Sequence, residues 1–171
     1  MPDSTPFIFD AHLDLSMNAL EWNRDMSRPL DEIRGREAGQ TDKKDRGRGT
    51  VCLPEMRRGK IAAALVKMGA RIHRPGSPLW GYRCGDLAYA AAQAHLAYYR
   101  ILEARGEARI LKTRDDFQQH MGVWAAADDY AELPVGMLLG IEGADAILWP
   151  EQVHEWWEHG VRVVSLSHYG V

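Results

Sequence analysis

His12 and Asp14 stand two residues apart, just after a short run of large apolar residues that begins at Phe7. If that run is a β-strand, alternation along it aims both side chains the same way. A neutral imidazole beside a carboxylate suits a borderline cation such as zinc. On its own the H-x-D spacing is common and says little. Glu142 closes an uncharged run, Val135 to Ile141, and Gly143 follows it. A strand therefore delivers a carboxylate to a tight turn. That carboxylate is a surface or helix-capping group, or it bridges two cations through its two oxygens. In the second case the paired ions turn a shared water into hydroxide near neutral pH and polarise a carbonyl. His168 ends the β-branched run from Val161 to Ser167. It is either a core histidine bonded to a backbone carbonyl or an imidazole that faces a substrate and stabilises an oxyanion. His95, inside a helical stretch, reads as a packing or surface residue. His73, His120, His154 and His159 fall in loops or amphipathic helices and take no role.

The elements that would position these residues alternate. Strands are expected at Phe7–Ala11, Ile61–Met68, Val135–Ile141 and Val161–Ser167, each short and apolar on both faces. Helices are expected at Ser16–Trp22, Leu53–Arg58, Asp86–Ala104, Arg114–His120 and Pro150–His159. Thr113 and Asp116 form a capping box for the fourth of these. About half of residues 24–49 are charged, with glycines interspersed, which predicts a solvated loop holding at most a short helix near Pro29–Gly35. This pattern is an α/β one, a parallel sheet covered by helices. It corresponds to about the first four βα units of a (β/α)8 TIM-type barrel, within a single domain. In such a barrel His12, Asp14, Glu142 and His168 all lie at C-terminal strand ends, which open on one face.

Composition narrows the function classes. The net charge of −3 gives no electrostatic case for nucleic acid or an anionic membrane. No apolar run reaches the ~18 residues of a transmembrane helix, and MPDSTPFIFDAHLD lacks the marks of a signal peptide. Cys52 and Cys84 do not make a disulfide framework. The expected partner is a small peptide substrate, in a cytoplasmic setting, and a homodimer is compatible with it.

Four blocks in order resemble the membrane (renal) dipeptidase family of the amidohydrolase superfamily. DAHLDL (Asp10–Leu15) resembles its D-x-H-x-D-L start, and CLPEMRRGKI (Cys52–Ile61) its L-P-x-L-R-x-G-x-V segment. GIEGADAI (Gly140–Ile147) is similar to its G-x-E-G signature and GVRVVSLSH (Gly160–His168) to its G-V-R-Y-L-x-L-T-H signature. The resemblance implies a two-zinc peptidase on a (β/α)8 barrel. His12 and Asp14 would be ligands of the first metal, Glu142 would bridge both, and His168 would bind substrate near the scissile carbonyl. It also implies two later histidines for the second metal, an arginine for the substrate carboxylate and an aspartate for proton transfer. None has a counterpart in the sequence. Leu13 and Ser16 replace a frequent Asn and Pro, Ala63 to Val66 replace a more polar strand, and Tyr169 to Val171 diverge.

A chain that stops just past a core strand is expected to be the N-terminal half of such a domain. It should bind one zinc weakly and lack dipeptidase activity alone. Two rivals stand beside this reading: another amidohydrolase acting on an amide or ester, and a non-catalytic fragment that binds a partner.

Overall fold

The computed structural model describes residues 6–168; the diverging segment Tyr169–Val171 lies outside them, as does the start of the chain. The elements run β1 (Ile8–Leu13), α1 (Leu15–Trp22), α2 (Leu30–Arg36), α3 (Leu53–Arg58), β2 (Ile61–Gly69) and α4 (Gly85–Ala104). They continue β3 (Ala108–Ile110), α5 (Arg114–Ala126), β4 (Val135–Glu142), α6 (Val153–Glu158) and β5 (Val161–Ser165), with 3-10 turns at Ala144–Ala146 and Pro150–Gln152. Every strand pair is parallel, in the order β1-β2-β4-β3, and β5 also pairs with β4. The protein is thus a mixed α/β fold with a parallel sheet, as the alternating pattern predicts. The sheet is open among the described residues, with no closed barrel.

Among the described residues five strands form where four are expected. The additional one, β3, is three residues long, too short to show a period, and is squeezed between the stop at Gly106 and the cap at Thr113. One edge of β4 pairs with β2 from Ala63–Gly136 to Gly69–Glu142. The other edge is shared end to end. β3 takes Val135–Met137 and β5 takes Leu139–Glu142. The last strand is also shorter than expected, ending at Ser165 rather than Ser167, because its neighbour turns out of the ladder at Gly143, leaving only single amide bonds from Gly143 and Ala144 to the Ser165 and Leu166 carbonyls. Leu166 is accordingly solvent-exposed. β1 is not buried on both faces, since Ile8 and Phe9 are about half exposed at the sheet's edge.

The core lies between the sheet and one layer of helices. Ala64, Val66 and Met68 of β2 and Met137, Leu139 and Ile141 of β4 meet Ala88, Ala92, Leu96 and Tyr99 of α4. That 4-4-3 spacing is one face of a helix, and alanine at its start lets the helix sit close. Burying each Leu, Ile or Met contributes ~1.5–3 kcal/mol. The alternate residues face the other way: Leu65 and Lys67 lie over Gly140. On that second face α5 covers the foot of the sheet. His120 packs directly on Gly136, where any Cβ would fall 2.8 Å from its Nε2, and bonds the Ala62 carbonyl at 2.8 Å. Although placed in an amphipathic helix by the sequence, His120 is fully buried, and burial pushes its pKa down. The helix continues to Ala126, past the expected end at His120, because Trp124 anchors it through an Nε1 bond to the Pro134 carbonyl.

The charged segment 24–49 is not merely solvated. Arg24 and Glu37 are buried and paired through two bonds of 2.7 and 3.0 Å. Arg46 and the Gly47 amide add bonds to the same carboxylate. Four donors on one glutamate close the loop, and they hold the Glu37 pKa down at about 2, Arg24 contributing most.

Candidate metal centre

The structure brings His12, Asp14, Glu142 and His168 to one end of the sheet. His12 stands one residue before the end of β1 and faces opposite to the core-facing Leu13. Glu142 is two residues past Gly140 on the same face, and Gly69 of β2 stands beside it without a side chain. His12 and Glu142 therefore meet across the intervening strand. His12 Nε2 lies 3.5 Å from Glu142 Oε1 and 3.7 Å from Asp14 Oδ2. One donor atom from each of the three lies within 4.8 Å of the others. His168 approaches from β5, its Nε2 3.4 Å from the same Glu142 oxygen. The side chains grade from the half-open His12 to the nearly enclosed Glu142, 12% exposed.

Local geometry explains each placement. Asp14 occupies the position before α1 where a carboxylate would ordinarily cap the helix, yet it makes no capping bond. The orphan amide of Ser16 is taken instead by the Tyr99 hydroxyl at 3.2 Å, and Tyr99 in turn donates to the Lys67 carbonyl at 2.9 Å. The Asp14 carboxylate is thereby freed from the helix end. Ser16 Oγ donates to the same Lys67 carbonyl, so its lone pair accepts from Nδ1–H of His95 at 2.8 Å. His95 is thus a buried member of this network, and burial lowers its pKa to about 4 against the smaller opposing pull of Asp14. Burial also raises the Tyr99 pKa. On the other side Gly143 adopts φ +86°, a conformation that favours glycine. That turn lets the Gly143 amide bond the Ser165 carbonyl at 3.1 Å and seats His168 against it.

A cleft of about 320 Å³ opens beside the cluster, lined by Asp14, Glu142 and His168 at one end. Glu21, Trp22, Arg71, Trp80 and Tyr82 line it as well. Sequence reasoning missed these wall residues and the Ser16–His95–Tyr99 network. Arg71 was within reach, since it follows the end of β2 as His12 and Glu142 mark the ends of theirs. Ser16, His95 and Tyr99 come from elements whose contact no local spacing announces.

The donor set fits a zinc-sized ion. Two ligands at ~2.1 Å from a tetrahedral ion stand about 3.4 Å apart, close to the 3.5 and 3.7 Å found from His12 to its neighbours. Among the described residues no other group of histidine, cysteine and carboxylate side chains converges in this way. Fold and cluster together define a parallel α/β protein with a cluster at its strand ends whose side chains could hold a metal ion.

Solved structures narrow that class. The chain is similar to the metallopeptidase dipeptidase AC, of family M19, with a TM-score of 0.61 at 20% identity over 96% of this chain. It is similar to the probable dipeptidase PvdM from Pseudomonas aeruginosa, with a TM-score of 0.59 at 19% identity over 96% of this chain. It spans 45% and 35% of their lengths. The chain thus has the dipeptidase-like fold that its four sequence blocks pointed to. No family model and no curated protein matches it.

Proposed function

We propose that this chain is the N-terminal part of a zinc-dependent dipeptidase built on a (β/α)8 barrel, with His12, Asp14 and Glu142 as ligands of the first ion. The observation that carries this reading is the convergence of those three donors, from β1, the start of α1 and β4, at spacings that suit one cation. The likeness to dipeptidase structures supports it. A divalent cation held there would polarise a scissile carbonyl and lower the pKa of a water. The chain's own residues do the rest. Glu142 Oε1 lies 3.5 Å from His12 Nε2 and 3.4 Å from His168 Nε2, so one carboxylate stands between the ligand and the substrate-facing imidazole. His168 presents a ring N–H toward the carbonyl oxygen on which charge develops. The cleft beside them, about 320 Å³, would take the substrate and orient its amide against the centre.

A second ion needs donors beyond this set, so one zinc per chain is expected. The test is a zinc titration of the purified chain against a chromophoric competitor, with hydrolysis of a dipeptide panel measured alongside. His12→Ala and Glu142→Gln should each weaken binding at least tenfold while the fold survives. Zinc binding unchanged in both variants would remove the proposed centre. Metal-dependent turnover by the 171 residues alone, lost in Glu142→Gln, would show that the second site is not required.

A further inference from the structure

Arg71 begins a loop over the cleft, and its backbone is fixed from three directions. Its carbonyl accepts from the Tyr82 amide at 2.8 Å, and the next amides on, Ile72 and His73, donate to Asp145 Oδ2 at 2.8 Å and to the Tyr82 carbonyl at 2.7 Å. The loop's two limbs touch at Gly81, where a Cβ would fall 2.5 Å from the His73 nitrogen. From this tied neck the Arg71 side chain lines the same cleft as Asp14, Glu142 and His168. Its Nη1 is buried and donates to no acceptor among the described residues. A buried guanidinium N–H without a partner is unfavourable, and an arriving acceptor relieves that. Glu21 lines the cleft as well, but it makes no hydrogen bond to Arg71, and burial raises its pKa, against Lys43 and Arg71. The same cleft is lined by Trp22, Trp80 and Tyr82, the last two with ring centroids 4.7 Å apart and edge to face. A fixed, unfilled guanidinium next to an aromatic wall suits a planar anion attached to an apolar group.

We propose that Arg71 is a specificity-determining residue that binds a carboxylate of the substrate, with Trp22, Trp80 and Tyr82 receiving the apolar side chain beside it. This rests on the cleft being the substrate site of a hydrolytic centre. The substrates it selects are dipeptides or N-acyl amino acids with a bulky apolar residue and a free carboxylate. That carboxylate comes from the chain terminus or from an acidic side chain.

The experiment is equilibrium binding to the full chain by titration calorimetry, in chelator, so that metal and turnover play no part. One pair of probes is N-acetylphenylalanine and its uncharged amide, which differ in a terminal carboxylate. The other is N-acetylglutamic acid α-amide and N-acetylglutamine α-amide, which differ in a side-chain one. The charged member of at least one pair should bind tenfold or more tighter, and the pair that shows it identifies the source. Arg71→Met should abolish the preference, Arg71→Lys should keep part of it, and Glu21→Gln should increase it. Thermal melts check that the variants fold; if Arg71→Met does not, Arg71→Lys and the wild-type probe pairs decide. Equal binding of charged and neutral probes by the wild type overturns the proposal, as does a preference that survives loss of the guanidinium. Dipeptide hydrolysis without any carboxylate preference would refute Arg71's role and leave the dipeptidase reading intact. A preference in a chain whose zinc binding is unchanged by His12→Ala and Glu142→Gln would do the reverse.

Discussion

Replacing Glu37 with glutamine keeps the shape of the acceptor at the centre of the 24–49 loop and removes its charge. In the native chain that carboxylate accepts from Arg24 Nε and Nη2, Arg46 Nη1 and the Gly47 amide, at 2.7 to 3.0 Å. Arg24 and Glu37 side chains are each only 5% exposed, so solvent screens the pair weakly. Glu37 titrates at about 2 instead of its ordinary 4.5. At ~1.4 kcal/mol per unit, the gap amounts to roughly 3 kcal/mol of stability at neutral pH. Breaking a buried ion pair from one side costs about 3–5 kcal/mol, which agrees. Because the folded pKa is depressed, this contribution is complete above the ordinary carboxylate value and fades as pH falls from about 4.5 toward 2. Urea unfolding followed by tryptophan fluorescence should separate wild type from Glu37→Gln by roughly 3 kcal/mol at pH 7 and by about 1.4 kcal/mol at pH 3. A difference below about 1 kcal/mol at pH 7, or one that does not shrink on acidification, would refute the reasoning. The loop would then be held by something other than its central charge.

Tyr99→Phe leaves the Ser16 amide without its buried acceptor and should destabilise the chain by about 1–3 kcal/mol in the same assay. It should also weaken zinc binding, since Asp14 then returns to capping α1; unchanged affinity would break that link. Gly143→Ala forces a side chain into φ +86° and should cost about 1–3 kcal/mol, with a larger loss of zinc affinity than of stability. His95 should titrate by NMR near 4, its neutral form persisting at pH 6. The unfolded chain then binds the proton first, so stability falls as pH drops from 6.5 toward 4, and His95→Gln should flatten that slope. Titration at or above 6.5 would place His95 outside the buried network.

The ends of β2, β4 and α3 were legible to within a residue because long apolar runs and glycine stops mark them. The four site residues could be gathered on one face from strand-end logic alone, because parallel strands send all their C-termini the same way. Burial of Arg24 and Glu37 was not legible. A charged, glycine-rich segment shows its composition, but whether a carboxylate collects four donors depends on how the loop closes. The same limit hid His95, whose partner Ser16 is distant in sequence. The three-residue β3 was invisible for a different reason: it exists because β5 leaves half of an edge of β4 to be paired.

His12 and Glu142 reach each other across β2, so their separation is set by two interstrand spacings of about 4.8 Å each and the twist between them. Ligand spacing in this chain is therefore an elastic property of the sheet. Neither loop can adjust it alone, and a cation that wants its donors wider or closer must deform three hydrogen-bonded strands at once. If the proposed centre holds a cation, size selectivity would come from stiffness: β2, ending in Gly69 with open space above it, would act as the gauge against which the ion is measured.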